Sequence, residues 1–208
     1  MMLTLPDHPL ILASASTTRL NMFKSAGVEC LSHPAHIDED SLKDAAQAEG
    51  LSARDGATML AEMKAAKVSG LNPGAFVIGA DQLLDFEGQW FSKPVSVDEA
   101  KTHLRALSGQ THDLVTAAVI YRDGERIWHH VEVPRIGIRR LDDSDIDDYL
   151  VMMGAKMYDT PGVYMMEDLG AQIINKIDGC PYSVLGLPLL QMMDFLRGHG
   201  LALKEGNR

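Results

Sequence analysis

"THDLVTAAVIYRDGERIWHHVEVPRIGIRRL" (residues 111–141) decides how this chain is built. Its first part carries Leu114, Val115, Val119 and Ile120, residues that suit a pleated, buried strand. Asp123-Gly124 follows, a pair that accepts the left-handed backbone of a tight hairpin turn. Beyond it Val131, Val133, Ile136 and Ile138 alternate, and Pro134 interrupts them. A proline cannot donate to a strand ladder, so a bulge or an edge is expected there. The stretch therefore predicts a long antiparallel hairpin.

Working outward, "AFVIGA" (75–80) reads as a buried strand that ends on Asp81. "QLLDF-EGQ-WF" (82–91) reads as a hairpin of its own, with Gly88 in the turn. "LILA" (10–13), "VECLSH" (28–33) and "AQIINKIDG" (171–179) are three more short strands. Helical patterns lie between them. Residues 17–26 stop at Gly27, and another helix begins near Leu42. Ser52 to Ser69 repeats Met59, Leu60, Met63 and Ala66 at helical spacing. Residues 96–109 open with Ser96 three before Glu99, a capping-box pattern, and end at Gly109. Residues 143–152 form a further helix, and 186–200 close the chain, with Pro188 in the first turn. Interleaved helices and strands with an antiparallel pair predict an α/β (mixed α+β) fold with a mixed sheet, in a single domain over 1–208.

The bulk chemistry narrows the function. The chain carries 29 acidic against 19 basic residues, a net charge of −10. That argues against a nucleic-acid surface, and a small anion would need a local cationic cluster or a metal ion. Cys30 and Cys180 are too few for a disulfide framework and fit a reducing compartment. The start, "MMLTLPDHPL", lacks the basic and apolar regions of a secretion signal, and no apolar run approaches the length of a membrane span. A cytoplasmic protein with no membrane partner is expected.

Several residues carry candidate chemistry. The strand at 10–13 leaves through Ser14 and Ser16, with Arg19 following. Free N–H groups at a helix start, two hydroxyls and a guanidinium would together grip phosphate. Equally, Ser16 or Thr17 would simply cap the helix. Asp81 at the end of a buried strand is placed either to hold Mg²⁺ or accept a proton, or to cap a turn. Asp38, Glu39 and Asp40 make a second acidic group, on a solvated loop or in a metal–polyphosphate site. Lys64 lies in the helix 52–69 and Lys93 precedes Pro94. His33 and His36 lack further ligands at a zinc-like spacing, and His129 and His130 must point to opposite faces of a strand. No Walker A loop occurs.

Taken together, "SASTTR" (14–19), "IDED" (37–40), "MKA" (63–65), "GADQ" (79–82), "SKP" (92–94), "LSGQTHDLVT" (107–116) and "VLGLPL" (184–189) resemble the Maf family of nucleoside triphosphate pyrophosphatases. The likeness spans nearly the whole chain. It implies a two-lobed, inosine-triphosphatase-like fold, with an elongated mixed β-sheet flanked by helices and a central cleft. It implies hydrolysis of a nucleoside triphosphate to monophosphate and diphosphate with a divalent cation, Mg²⁺ or Mn²⁺. Asp81, Lys64 and Lys93 match the family's catalytic positions; Asp81 and Glu39 match the metal-binding acids. Ser14, Ser16 and Arg19 match the phosphate loop. Pairing as a homodimer, with the edge-like strand at 131–138 as a candidate contact, is a further expectation. The family's older association with septum formation supplies an alternative of another class, a catalytically weak nucleotide-binding regulator of cell division.

Departures from the branch acting on dTTP and UTP bear on the base. Thr17 replaces a proline, Thr18 an arginine and Ser92 an acid; Gln82 stands for Thr and Glu167 for Gln. Gln82 and Glu167 resemble the 7-methyl-GTP branch, which commonly offers tryptophan where this chain has Thr18. An ionised carboxylate only accepts hydrogen bonds, which suits the N1–H and amino donors of guanine. Thr18, Gln82 and Glu167 are therefore the expected base-specificity residues.

Overall fold

Two long strands form the spine of the sheet. In the computed structural model, which describes residues 8–203, β3 (Phe76–Phe86) and β5 (Thr111–Arg122) pair antiparallel from Val77↔Tyr121 to Asp85↔Asp113. Both are near-continuous apolar runs because both faces of the sheet are covered. β1 (Leu10–Leu12) lies parallel to the first residues of β3, and β2 (Leu31–Ser32) lies parallel to β1. With β4 (Gln89–Phe91), β6 (Glu125–Glu132), β7 (Arg135–Ile138) and β8 (Ile174–Asp178) these make one mixed eight-stranded sheet. Its main order is β2-β1-β3-β5-β7-β8, with β4 on β3 and β6 on β5.

The deciding hairpin is present, turning at Asp123 (φ 51°) and Gly124 (φ 82°). Pro134 does more than mark an edge. β6 pairs with β5 along Thr116–Arg122, and β7 pairs with it along Thr111–Asp113. Pro134 lies between, donating nothing, while its carbonyl accepts from Leu114 N at 2.9 Å. The edge expected at 131–138 is corrected for β7, which β8 covers.

Two other readings change. β3 does not end at Asp81: "AFVIGA" and "QLLDF" are one strand, because pairing with β5 continues past the aspartate. The helix α3 (Ala53–Leu71) is rotated from the expected face. Ala57, Leu60, Ala61, Lys64, Ala65 and Val68 are buried, whereas Met63 and Ala66 face out. The small residues let α3 lie almost on the backbone of β3, and a Cβ added at Gly79 would fall 1.9 Å from Ala61 O. Close approach along a stripe of alanines outweighs the burial that the methionines would bring.

The other helices are α1 (Thr17–Ser25), α2 (Glu39–Ala48), α4 (Val97–Leu107), α5 (Asp143–Met153), α6 (Pro181–Val184) and α7 (Leu189–Gly198). α2 starts three residues before Leu42, because Asp38 caps it by accepting from Ser41 N. Ser96 caps α4, but Glu99 accepts from Val95 N (2.9 Å) instead of closing the box on Ser96. The late strand shortens to β8, and a 3₁₀ turn at Leu169–Gln172 takes its first residues. α6, a single turn, was not anticipated. Val77 and Val119 pack under α3, while Ile78 and Ile120 pack against α1 and α7 on the opposite face. A further core joins α4 and α5 to β7 through Leu104, Ile136 and Tyr149. Among the described residues no helix is long and apolar enough to cross a membrane. Residues 1–7, which include most of the segment read for a secretion signal, lie outside the described residues.

Candidate active site

β1 delivers the chain into a loop that holds itself together. Ser14 Oγ accepts from Ser16 N (3.2 Å), and Ser16 Oγ accepts from Arg19 N (3.3 Å) as the cap of α1. The capping role and an anion-gripping role are thus compatible, since each hydroxyl keeps its own proton to donate. Arg19 is set by the main chain. Its Nε donates to Gly186 O at 2.8 Å and its Nη1 to Ala80 O at 2.9 Å. Burial lowers the guanidinium pKa, and the charges of Asp81 and Glu39 work against that shift. Gly186, at φ +99°, is required here: a Cβ would meet Arg19 Nε at 3.1 Å.

Lys64, on the buried face of α3, reaches two carboxylates. Its Nζ lies 2.7 Å from Asp81 Oδ1 and 2.8 Å from Glu39 Oε2. Glu39 stands in the first turn of α2, where its acid is held below the usual range. Burial pushes that pKa upward, but Lys64, Lys43 and Arg19 together outweigh it. Asp81 Oδ2 is buried and has no hydrogen-bond partner among the described residues. Buried polar atoms are nearly always satisfied, so a bare carboxylate oxygen points at a ligand position.

These groups line one cavity of about 560 Å³. The ten residues that the family resemblance marks as site positions all reach it: Ser14, Ser16 and Arg19, then Glu39, Lys64, Asp81 and Lys93, then Thr18, Gln82 and Glu167; Asp38, Asp40, His33 and His36 do not line it. Lys93 is exposed at the rim beside the buried Pro94. Glu167 is exposed too, and its carboxylate makes no hydrogen bond or ion pair among the described residues. Gln82 is engaged differently. Its Nε2 donates to Thr116 Oγ1 (2.8 Å), Ser183 O (2.9 Å) and Val184 O (3.2 Å), so both amide protons are committed to the protein.

Two parts of the cavity escaped the sequence. Lys43 stands one turn after Glu39 on α2 and faces the same side, an i,i+4 relation visible only once the helix start is placed at Glu39. The irregular segment 159–166 has no periodicity to betray it. It is held by Thr160 Oγ1, which donates to Tyr164 O and accepts from Tyr164 N. A second hollow of about 380 Å³ adjoins the cavity at Thr18, Leu185 and Glu167 and adds Asn21 and Tyr182 to its walls.

Among the described residues no group of three or more His, Cys, Asp or Glu side chains converges as a metal cage. A hard dication needs less from the protein: Mg²⁺ typically takes one or two carboxylates and completes its shell with water and phosphate oxygens. Asp81 Oδ2 and Glu39 supply that donor set.

Residues 9–199 match the family described as Maf-like protein. The chain is 43% identical over 195 residues to a nucleoside triphosphate pyrophosphatase of Rhodospirillum rubrum, covering 94% of this chain and 96% of that one. It is 43% identical over 190 residues to the protein of the same name from Granulibacter bethesdensis, covering 91% and 96%. A third such protein, from Caulobacter vibrioides, is 43% identical over 192 residues, covering 92% and 96%. With a match over almost its whole length, this chain belongs to the Maf-like protein family.

Proposed function

We propose that this protein is a nucleoside triphosphate pyrophosphatase that cleaves its substrate between the α and β phosphoryl groups. The observation that carries the reading is the shared cavity. In it Arg19, Lys43 and Lys93 stand with the buried Lys64–Asp81 pair and the partly exposed Glu39, and Asp81 Oδ2 has no partner among the described residues. A triphosphate would find its charge met there although the protein as a whole is acidic.

Asp81, through Oδ2, and Glu39 would hold a divalent cation, Mg²⁺ or Mn²⁺. Bound there, the cation would offset charge on the phosphate oxygens. Ser14, Ser16 and Arg19 would hold phosphate at the start of α1, and Lys43 and Lys93 would cover its solvent side. Water attacks the α-phosphorus and releases a proton to solvent, the bond to the bridging oxygen breaks, and diphosphate leaves with that oxygen. Fixed charges and fixed orientation would supply most of the acceleration, as in phosphoryl transfer generally.

We further propose a guanine-type base, 7-methyl-GTP included. Glu167 supports it, because an unpaired carboxylate offers acceptors only. Thr18 shares the wall with it. The two cysteines, both free, fit a cytoplasmic setting.

The test is diphosphate release, with Mg²⁺ and with Mn²⁺, from a panel holding GTP, 7-methyl-GTP, dTTP, UTP, CTP and ATP. Turnover of at least one triphosphate, lost in Asp81→Asn, is expected. Tight binding of nucleotides without turnover of any would overturn the enzymatic reading. Equal turnover of dTTP and 7-methyl-GTP would remove the guanine preference.

A further inference from the structure

A row of three polar side chains crosses one face of the sheet. Gln82 on β3 pairs with Thr116 on β5, and Thr116 pairs with Glu132 on β6. Directly opposed residues project to the same face of a sheet. Ala80 and Ala118, two residues away on the same face, pack with Leu187, Leu189 and Met192, so this face lies under the α6–α7 region.

All three side chains hold one residue. Gln82 Nε2 and Thr116 Oγ1 both donate to Ser183 O, at 2.9 and 2.8 Å. Ser183 Oγ in turn donates to Glu132 Oε2 at 2.5 Å. Ser183 is fully buried in α6. Its carbonyl also accepts from Gly186 N at 3.0 Å, and Gly186 O accepts from Arg19 Nε at 2.8 Å. Hydrogen bonds joined through the covalent frames of Ser183 and Gly186 therefore connect Glu132 to the guanidinium at the cavity. Gln191 on α7 braces the far end by donating to Glu132 Oε1 at 2.5 Å, and His130 Nε2 lies 3.6 Å from the same oxygen.

The placement is costly unless it is used. A half-buried carboxylate and two polar groups interrupt a sheet face where apolar residues would pack with no polar atoms to satisfy. What the row achieves is to fix the 183–186 turn in one position, and that turn seats Arg19. Fixing a charged fork within a fraction of an ångström is what binding of a polyphosphate requires.

We infer that Glu132, Thr116 and Gln82 are positioning residues for phosphate binding, acting through the Ser183–Gly186 turn on Arg19. The inference rests on the triphosphate reading above. It gives Gln82 a role that is independent of the base.

The test uses the full chain and two readouts. Binding of inorganic tripolyphosphate, followed by calorimetry, needs no turnover and so separates failure of this inference from failure of the proposed activity. Steady-state kinetics on two triphosphates of different base give KM and kcat. Glu132→Ala is expected to weaken tripolyphosphate binding and to raise KM about tenfold, by the same factor for both bases, with kcat changed less than about threefold. Glu132→Gln should recover most of the loss. Its carbonyl still accepts from Ser183, and Gln191 Oε1, buried without a partner among the described residues, can turn to accept from the new amide N–H. In an Arg19→Ala background the Glu132→Ala change should add less than about twofold, because coupled residues are not additive. Should Glu132→Ala fail to fold, Gln82→Met and Thr116→Val remove the donors at nearly constant volume and carry the same expectation. Losses that multiply in the Arg19→Ala background, or a Gln82→Met effect confined to one base, would overturn the inference.

Discussion

Lys64 Nζ divides the two oxygens of Asp81: it lies 2.7 Å from Oδ1 and leaves the buried Oδ2 without a partner among the described residues. The same ammonium touches Glu39 Oε2, so one cation serves two carboxylates. Gly79, two residues before Asp81, makes this arrangement reachable by letting α3 approach the strand backbone.

Removing each partner separates their roles. Asp81→Asn keeps an oxygen for Lys64 but lowers the donor charge at the bare position. Its kcat for diphosphate release should fall by about 10³-fold or more, with the protein still folded. Lys64→Met leaves two carboxylates near one another without their ammonium. It should cost about 3–5 kcal/mol in denaturant unfolding. Adding Asp81→Asn to Lys64→Met should restore part of that stability, because it removes the uncompensated charge. A double variant no more stable than Lys64→Met would show that the pair is not coupled as drawn.

Gly79→Ala tests the close approach itself. The added Cβ would meet backbone, Ala61 O at 1.9 Å, which no rotamer change relieves. The helix must move, at a cost of about 3 kcal/mol or more. For a chain of this size that corresponds to a fall of roughly 6–12 °C in melting temperature. Activity should fall with it, since Lys64 rides on the displaced helix. An unchanged melting temperature would mean that α3 does not pack where the structure has it.

Much of this site was legible because its chemistry sits on sharp local signals. Ser14, Ser16 and Arg19 follow an apolar strand directly, and Asp81 interrupts another. A charge in a run such as "AFVIGADQLLDF" has to be explained locally. What could not be read were distances across the fold. Nothing around Lys64 in the sequence tells that it is buried, because the face of α3 is chosen by alanines that carry little hydropathy signal. Glu132 is the extreme case: it looks like one polar position in an alternating strand, and only the pairing Gln82↔Thr116↔Glu132 and the seat of Ser183 give it a purpose. Pro134 was readable as a break but not as the point where β5 changes partners.

The "LSGQTH" stretch ends in a histidine with a different kind of consequence. His112 is buried, its Nε2 lies 2.6 Å from Tyr164 Oη, and its Nδ1 has no partner among the described residues. Burial pushes its pKa down to about 4. The unfolded chain takes up the proton first as pH falls, so the stability from neutral His112 is complete above about pH 6.5 and is lost between there and about pH 4. The loss should reach about 3 kcal/mol at the lower limit. Unfolding followed from pH 7.5 to 4.5 should show this slope, and His112→Gln should flatten it. Because Tyr164 anchors the segment 159–166, acid should loosen the cavity wall before it unfolds the chain; hydrogen exchange in that segment measures this.

Glu167 offers the clearest separation of base from phosphate. Its carboxylate is unpaired among the described residues at the junction of the cavity and the adjoining hollow, and it can only accept. Replacing it with glutamine keeps the shape and adds a donor. A base edge with two donors then loses a partner, while one with a carbonyl beside an N–H gains one. Glu167→Gln should therefore shift the ratio of kcat/KM between guanine-type and uracil-type triphosphates by about tenfold or more toward uracil. Binding of tripolyphosphate, which has no base, should not change. If the ratio holds constant while both substrates weaken equally, Glu167 acts on the phosphates and the base lies elsewhere. That outcome would transfer the specificity question to Asn21 and Tyr182 in the adjoining hollow.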